Sequence, residues 1–163
     1  MSTYTVAMNN QTIIASADLV IIHTDSTLAS GGSNIEILRA WCSQGASETS
    51  EQLGIQLCLQ ASAFGTYSAA TPAPHFIGGR VSGIAGGTTG AEGTAGVDAS
   101  ANAAGTKTAI IADAFNNLNG WLWVPTPEER IIVPADTAIV LAMIGTATAL
   151  GNWYAGITYR ELN

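Results

Sequence analysis

The alternation of apolar and polar positions in this chain is that of strands. It is clearest at residues 52–61, where Leu53, Ile55, Leu57, Leu59 and Ala61 point one way and Gln52, Gly54, Gln56, Cys58 and Gln60 the other. Period two of this kind marks a sheet with one buried face. A weaker alternation at 3–8 sets Tyr4, Val6 and Met8 on one side and is broken by Asn9 and Asn10. Residues 12–14 and 18–24 (DLVIIHT) read as two more short strands. Residues 34–43 form a strand rich in β-branched and aromatic residues, with Ile35, Ile37, Arg39 and Trp41 on one face and Leu38, Ala40 and Cys42 on the other. Residues 26–33, with Gly31 and Gly32, are a loop, and 44–50 are polar turn material. Nothing shows the 3.6-residue period for more than about a turn.

The second half repeats the theme. Residues 107–115 (KTAIIADAF) are a strand, and 116–120 turn it into the stretch GWLWVPTPEERIIVPADTAIVLAMIG. There Trp121 and Trp123 share one strand face. Pro125 and Pro127 exclude a helix, residues 130–133 form a short strand, 134–136 a turn and 137–144 another strand. A last strand at 152–162 sets Trp153, Ala155, Ile157 and Tyr159 on one side. Eight to ten strands separated by regular turns predict an all-β fold, an antiparallel β-sandwich of jelly-roll-like connectivity. Between the halves, residues 66–106 change character: nine glycines fall from Gly78 to Gly105, and Glu92 and Asp98 are the only charges between Val81 and Thr106. This Gly/Ala/Thr-rich segment reads as a long loop excursion or arm that cannot build a core of its own and is ordered against a neighbour. Short strands are expected within it at 76–77 and 81–84. Residues 1–17 are the N-terminal arm or strands, and 1–163 are one domain.

Composition narrows the function. Only 10% of residues are charged, against about 25% in an ordinary soluble domain, so the surface is either neutral or covered by partner subunits. Twelve acids stand against five bases, namely Arg39, Arg80, Lys107, Arg130 and Arg160, which are scattered along the chain. That argues against nucleic-acid binding. No apolar run reaches the roughly 18 residues of a membrane span, and MSTYTVAMNN lacks the basic and apolar regions of a secretory signal. Cys42 and Cys58 lack metal-ligand spacing and read as reduced, buried small hydrophobes of a protein made in cytosol.

Candidate chemistry is sparse. His23 and His75 have no converging ligands, so neither a metal nor a cofactor is expected. The glycine-rich segment contains no phosphate-loop motif and opens no helix. Without a G-x-S-x-G elbow or a paired-carboxylate arrangement, no catalytic residue emerges and the chain is not expected to be an enzyme. Glu128 and Glu129 beside Arg130 read as charges at the start of a strand or as an interface salt bridge. Gln56 and Gln60 give an amide-rich outer strand face suited to an interface or to plain solvent. Trp121 and Trp123 fit either a sugar-stacking platform or core and interface anchors, the latter preferred because aromatics dominate buried contacts. Trp41 and Trp153 read as core residues.

The block GWLWVPTPEERIIVPADTAIVLAM, the terminal NWYAGITYREL and the pair NIEILRAWCSQ…EQLGIQLCLQAS resemble small structural proteins of tailed bacteriophages, and among these most closely a capsid decoration (cement) protein. The resemblance covers residues 35–61 and 107–162 and leaves out the glycine-rich middle. It implies a jelly-roll-like sandwich, often trimeric, that binds the major capsid protein on the outer surface of the virion after synthesis in the host cytoplasm. It supplies no catalytic residue. A tail-fibre receptor-binding or carbohydrate-binding sandwich is the alternative.

Overall fold

β-Branched and aromatic runs punctuated by Gly, Pro and Asn yield strands throughout. The computed structural model describes residues 2–27, 34–46, 49–76, 80–102 and 104–162. In chain order its strands are β1 (Thr3–Gln11), β2 (Asp18–His23), β3 (Ile35–Gln44), β4 (Gln52–Gln60), β5 (Thr66–Ala69), β6 (Ala73–Pro74) and β7 (Ala85–Gly86). They continue with β8 (Thr94–Ala101), β9 (Lys107–Asn116), β10 (Trp121–Trp123), β11 (Ile132–Val133), β12 (Ala138–Ile144) and β13 (Trp153–Glu161). Sheet A runs β10-β3-β13-β1-β6, with β11 also on β3, and sheet B runs β5-β8-β2-β12-β4-β9, with β7 beside β8. All pairings are antiparallel except β7 with β8. The fold is therefore an antiparallel β-sandwich.

The long strands pair in nested order. β1 pairs with β13, β2 with β12, β3 with β10 and β4 with β9. Successive pairs alternate between the sheets, and the pairs are then joined side by side by β13 on β3 and β12 on β4.

The core fills the space between the sheets. Tyr4, Val6 and Met8 from β1, Ile55 and Leu57 from β4, Ile139 and Leu141 from β12, and Trp153, Ala155, Ile157 and Tyr159 from β13 are all buried in it. Phe115 and Trp153 meet edge to face across the sandwich, with ring centroids 6.5 Å apart. The faces expected for β1, β4 and β13 are the faces observed, except that Ala61 lies past the end of β4 and is exposed.

β3 corrects its expected faces. Its register on β13 passes from Arg39↔Thr158 to Ile37↔Tyr159 and skips Leu38. This bulge shifts the phase. Ile35 and Ile37 face the core, and beyond the bulge Ala40 and Cys42 do so, while Arg39 and Trp41 turn outward. Trp41 is thus not a core residue. Its ring lies on the backbone of β13, where a Cβ at Gly156 would come within 2.1 Å of Trp41 Cζ2. Two smaller differences concern the N-terminal region. Residues 12–14 are not a strand, although Ile13 N donates to Leu150 O at 2.9 Å. β1 continues past Asn9 to Gln11 by way of Asn10 at φ 53° and a register shift.

The glycine-rich excursion is more regular than its composition implied. Thr94–Ala101 forms β8, pairs with β2 and buries Ala95, Val97 and Ala99. The short strands fall at Ala73–Pro74 and Ala85–Gly86 rather than at 76–77 and 81–84; residue 77 lies outside the described residues, as do 28–33 of the expected 26–33 loop. The excursion packs on the chain's own sheet B. On the face of that sheet turned away from the main core, Ile21, Ala138, Val140, Ala142 and Ala99 cluster with Tyr67, and Phe64 packs against them. Tyr67 approaches β8 so closely that a Cβ at Gly96 would lie 2.6 Å from its own Cβ. Beneath, fully buried Asp18 pairs with Lys107, accepts a 3.4 Å bond from Tyr67 Oη and donates its N–H to Asn102 Oδ1 at 2.9 Å. Burial and the Asp18 carboxylate push the Tyr67 hydroxyl up.

Gly156→Ala should destabilise the chain by about 1–3 kcal/mol in urea unfolding, because the new methyl overpacks Trp41. In a Trp41→Ala background the penalty should fall to less than half, and equal penalties in both backgrounds would contradict the stacking.

Candidate functional site

The candidate residues fall on two sheets. Trp121, Trp123, Glu128, Glu129 and Arg130 lie along β10 and the segment that follows it on sheet A, whereas Gln56 and Gln60 belong to β4 in sheet B. They do not form one site. Gln60 is 1% exposed; its Nε2 donates to Ser62 O at 2.9 Å and to Ala63 O at 3.2 Å. It anchors the start of the excursion and is not an interface residue. Gln56 is half-buried and accepts a weak bond from Cys58 Sγ at 3.6 Å.

The β10 strand divides its residues between two roles. Trp121 points inward, 8% exposed, and its Nε1 donates to Asp113 Oδ2 of β9 at 3.1 Å, tying the edges of the two sheets together. Trp123 is half-buried against the same core. Leu122, between them, faces outward at 64% exposure opposite Trp41. After Pro125 the chain makes a short 3-10 turn, Pro127–Glu129, and leaves Glu128 and Glu129 exposed. Arg130 pairs with neither of them. Its Nη1 lies 3.6 Å from Glu36 Oε1, and Glu36 also pairs with Arg160 opposite it on β13. Ile132, on β11 opposite Glu36, is 60% exposed, and Val124 is 61% exposed.

These side chains compose a surface that sequence reasoning missed. Arg39, Arg130 and Arg160, three of the five basic residues, stand on the outer side of sheet A with Trp41, Leu122 and Ile132. Arg39 Cζ sits 4.6 Å from the centre of the Trp41 ring. A shallow pocket of about 310 Å³ opens between β3 and β10, walled by Trp41, Ser43, Asn119 and Leu122. The bulge at Leu38 is what turns Arg39 and Trp41 outward, and no periodicity announces a bulge. The exposure of Leu122 was implicit in the two tryptophans that flank it on the opposite face.

This geometry speaks against sugar stacking. Trp121 and Trp153 are buried, and Trp41 has Gly156 under one face and Arg39 near its ring. A pyranose needs an open aromatic face, and the two tryptophans that keep some surface, Trp41 and Trp123, are each half-buried and stand on opposite faces of sheet A.

The polar side chains elsewhere serve structural ends. His23 Nδ1 donates to Gly90 O at 2.7 Å, and its ring packs on Phe64 at 4.5 Å, so it holds the excursion against β2. His75 Nε2 lies 2.6 Å from Thr5 Oγ1. Glu161 accepts Ser82 Oγ at 2.7 Å and Gly83 N at 2.8 Å, which pins the excursion to the end of β13. Among the described residues, no group of three or more His, Cys, Asp and Glu is placed to hold a metal ion, and no helix is long and apolar enough to cross a membrane. Both thiols are free and buried, Cys42 in the core and Cys58 on the other sheet. Burial pushes Cys42 up to about 12 and also raises Cys58. No family model, curated protein or solved structure matches the chain.

Trp121→Ala should cost about 3–5 kcal/mol in chemical denaturation, as expected for a buried tryptophan. Leu122→Ala should stay within about 0.5 kcal/mol, the usual range for a surface change. Comparable losses would mean that β10 is not oriented as described. Neither thiol should be alkylated by iodoacetamide at pH 8 in the native chain, and both should be in urea, since the reactive species is the thiolate. Fast native labelling of Cys42 would contradict its burial.

Proposed function

We propose that this chain is a non-enzymatic structural protein of a tailed-phage particle. In this reading it decorates the outer surface of the capsid, binds the major capsid protein and reinforces the shell. The observation that carries the proposal is the outer side of sheet A, where Leu122, Val124 and Ile132 are each at least 60% exposed around Trp41 and three arginines. Interface cores are enriched in aromatic side chains and Arg and depleted in Lys and Glu, and exposed aliphatic clusters mark contact surfaces. The nested strand pairing supports the jelly-roll reading and, with it, the likeness to phage decoration proteins. A rigid sandwich suits a clamp repeated over many copies, since each contact stabilises by the apolar area it covers and repetition multiplies the effect. Selective binding of the finished lattice would stabilise that state. Assembly as a trimer is part of the same proposal, because it would cover further surface on a chain so poor in charge.

Quantitative mass spectrometry of purified particles tests the reading. A copy number comparable to that of the shell subunit is expected, and a handful of copies would move the chain to a tail or fibre. Replacing Leu122 and Ile132 together by Asp should lower particle occupancy at least tenfold while leaving the melting temperature nearly unchanged. Undiminished occupancy would exclude this face.

A further inference from the structure

Sheet edges expose unpaired backbone groups, and folded chains ordinarily blunt them with short strands, proline, charge or cover. Three of the four edges here follow that rule. β10 and β11 have three and two residues and are separated by Pro125 and Pro127, β6 has two residues including Pro74, and β5 has four. β9 is the exception. It has ten residues, about 34 Å of strand at antiparallel spacing, and among the described residues only β4 pairs with it. Residues 108–110 and 112–114 are exposed. Its side chains are small or aliphatic apart from Lys107, Asp113, Asn116 and the buried Phe115. Lys107 is drawn onto Asp18, and Asp113 accepts Trp121 Nε1. Apart from the Ala114 N–H, which donates to Asp113 Oδ1 at 2.8 Å, the strand therefore offers a row of backbone donors and acceptors with no uncommitted charge beside it.

We propose that β9 is a strand-addition site, and that its occupant is an extended, uncharged segment of the shell protein to which the chain binds. This rests on the function proposed above and names a second point of contact. Backbone pairing would supply affinity, and the small residues Ala109, Ala112 and Ala114 would let the added strand lie close. The neutral edge fits an uncharged strand, because a charged one would be desolvated there without a counterion. A second copy of this chain fits less well. The register of β9 on β4 skips Ile110, so the two halves of the strand are out of phase: Thr108, opposite Leu59, and Ile111, opposite Leu57, lie on the same face of the sheet. A two-fold alignment of the whole strand that crosses Ile110 sets Ile111 against outward-facing Ala112, and one centred between Ala109 and Ile110 keeps the faces matched but pairs only residues 107–112. Of those that avoid it, one centred on Asp113 sets two carboxylates opposite each other, and the others use only part of the strand. A foreign strand carrying its own irregularity has no such constraint.

Hydrogen exchange read by mass spectrometry, on the full chain free in solution and bound to purified particles, tests this. Slowing of exchange at residues 107–116 by at least tenfold on binding is expected. Ala112→Lys with Ala114→Lys should lower occupancy at least tenfold while the melting temperature of the free chain stays within a few degrees. Binding with unchanged exchange at β9 would overturn the strand-addition site and leave the decoration role standing. Failure of the chain to bind particles at all would overturn both. Protection of β9 in the free chain that grows with its concentration would show self-pairing instead, and would equally overturn the proposed occupant.

Discussion

Everything in this sandwich is arranged around two strands that are buried on both faces. β2 has no residue in contact with bulk water, and β12 is buried along all but its last position. One face of each is satisfied by sheet A across the main core. The other needs a cover, and the excursion between β4 and β9 supplies it with Phe64 and Tyr67, while β8 of the same excursion extends the sheet beside β2. Such a cover must approach the sheet closely, which is a physical reason for a segment rich in glycine and alanine: larger side chains would hold Tyr67 away from Gly96. The charge pair of Asp18 and Lys107 under that cover follows from the same burial. A carboxylate with no access to solvent requires a counterion and hydrogen-bond donors.

Covering one sheet leaves the other as the exposed one. Sheet A carries its polar and apolar outward residues in cross-strand rows: Leu122 with Trp41, then Arg39 with Thr158, then Ile132 with Glu36 and Arg160. Three arginines in one neighbourhood of an acidic chain are focused there by the pairing alone, since their positions in the sequence lie far apart. The inner half of β10 fastens the sandwich while its outer half faces away from it. One short strand thereby serves both the core and the outer surface.

Legibility from the sequence followed burial. Where apolar and polar positions alternate, as in β4 and β13, the core-facing side was legible, but not that Cys58, Gln60 and Thr158 on the opposite side are buried as well. β2 and β12 were recognisable as strands, yet their continuous apolar runs did not announce what covered the second face. β3 was misjudged because the residue skipped at Leu38 inverts the phase halfway along, a feature that depends on the partner strand. β8 was hidden because its buried residues, Ala95 and Val97 on the core side and Ala99 on the other, are small enough to look like low complexity. The burial of Gln60 is not legible because an amide nitrogen held by backbone carbonyls is indistinguishable, in sequence, from one bonded to water.

The nested order of pairing has a kinetic side. β9 and β4 close over the excursion, β3 and β10 over a longer span, and β1 meets β13 only across nearly the whole chain, with Thr3 opposite Arg160. Each outer pair is entropically easier once the pair inside it exists, because the remaining loop to be closed is shorter. Sandwiches built from such distant contacts cross their folding barrier slowly. Read in reverse, separating β1 from β13 releases only the outermost pair and leaves the inner ladders to hold the rest, so complete opening requires several sheets' worth of ordered contacts to fail together. Resistance of that kind is a property of rates rather than of equilibrium depth. The proposed place on a particle, where no chaperone would refold a lost subunit, would draw on rates of that kind.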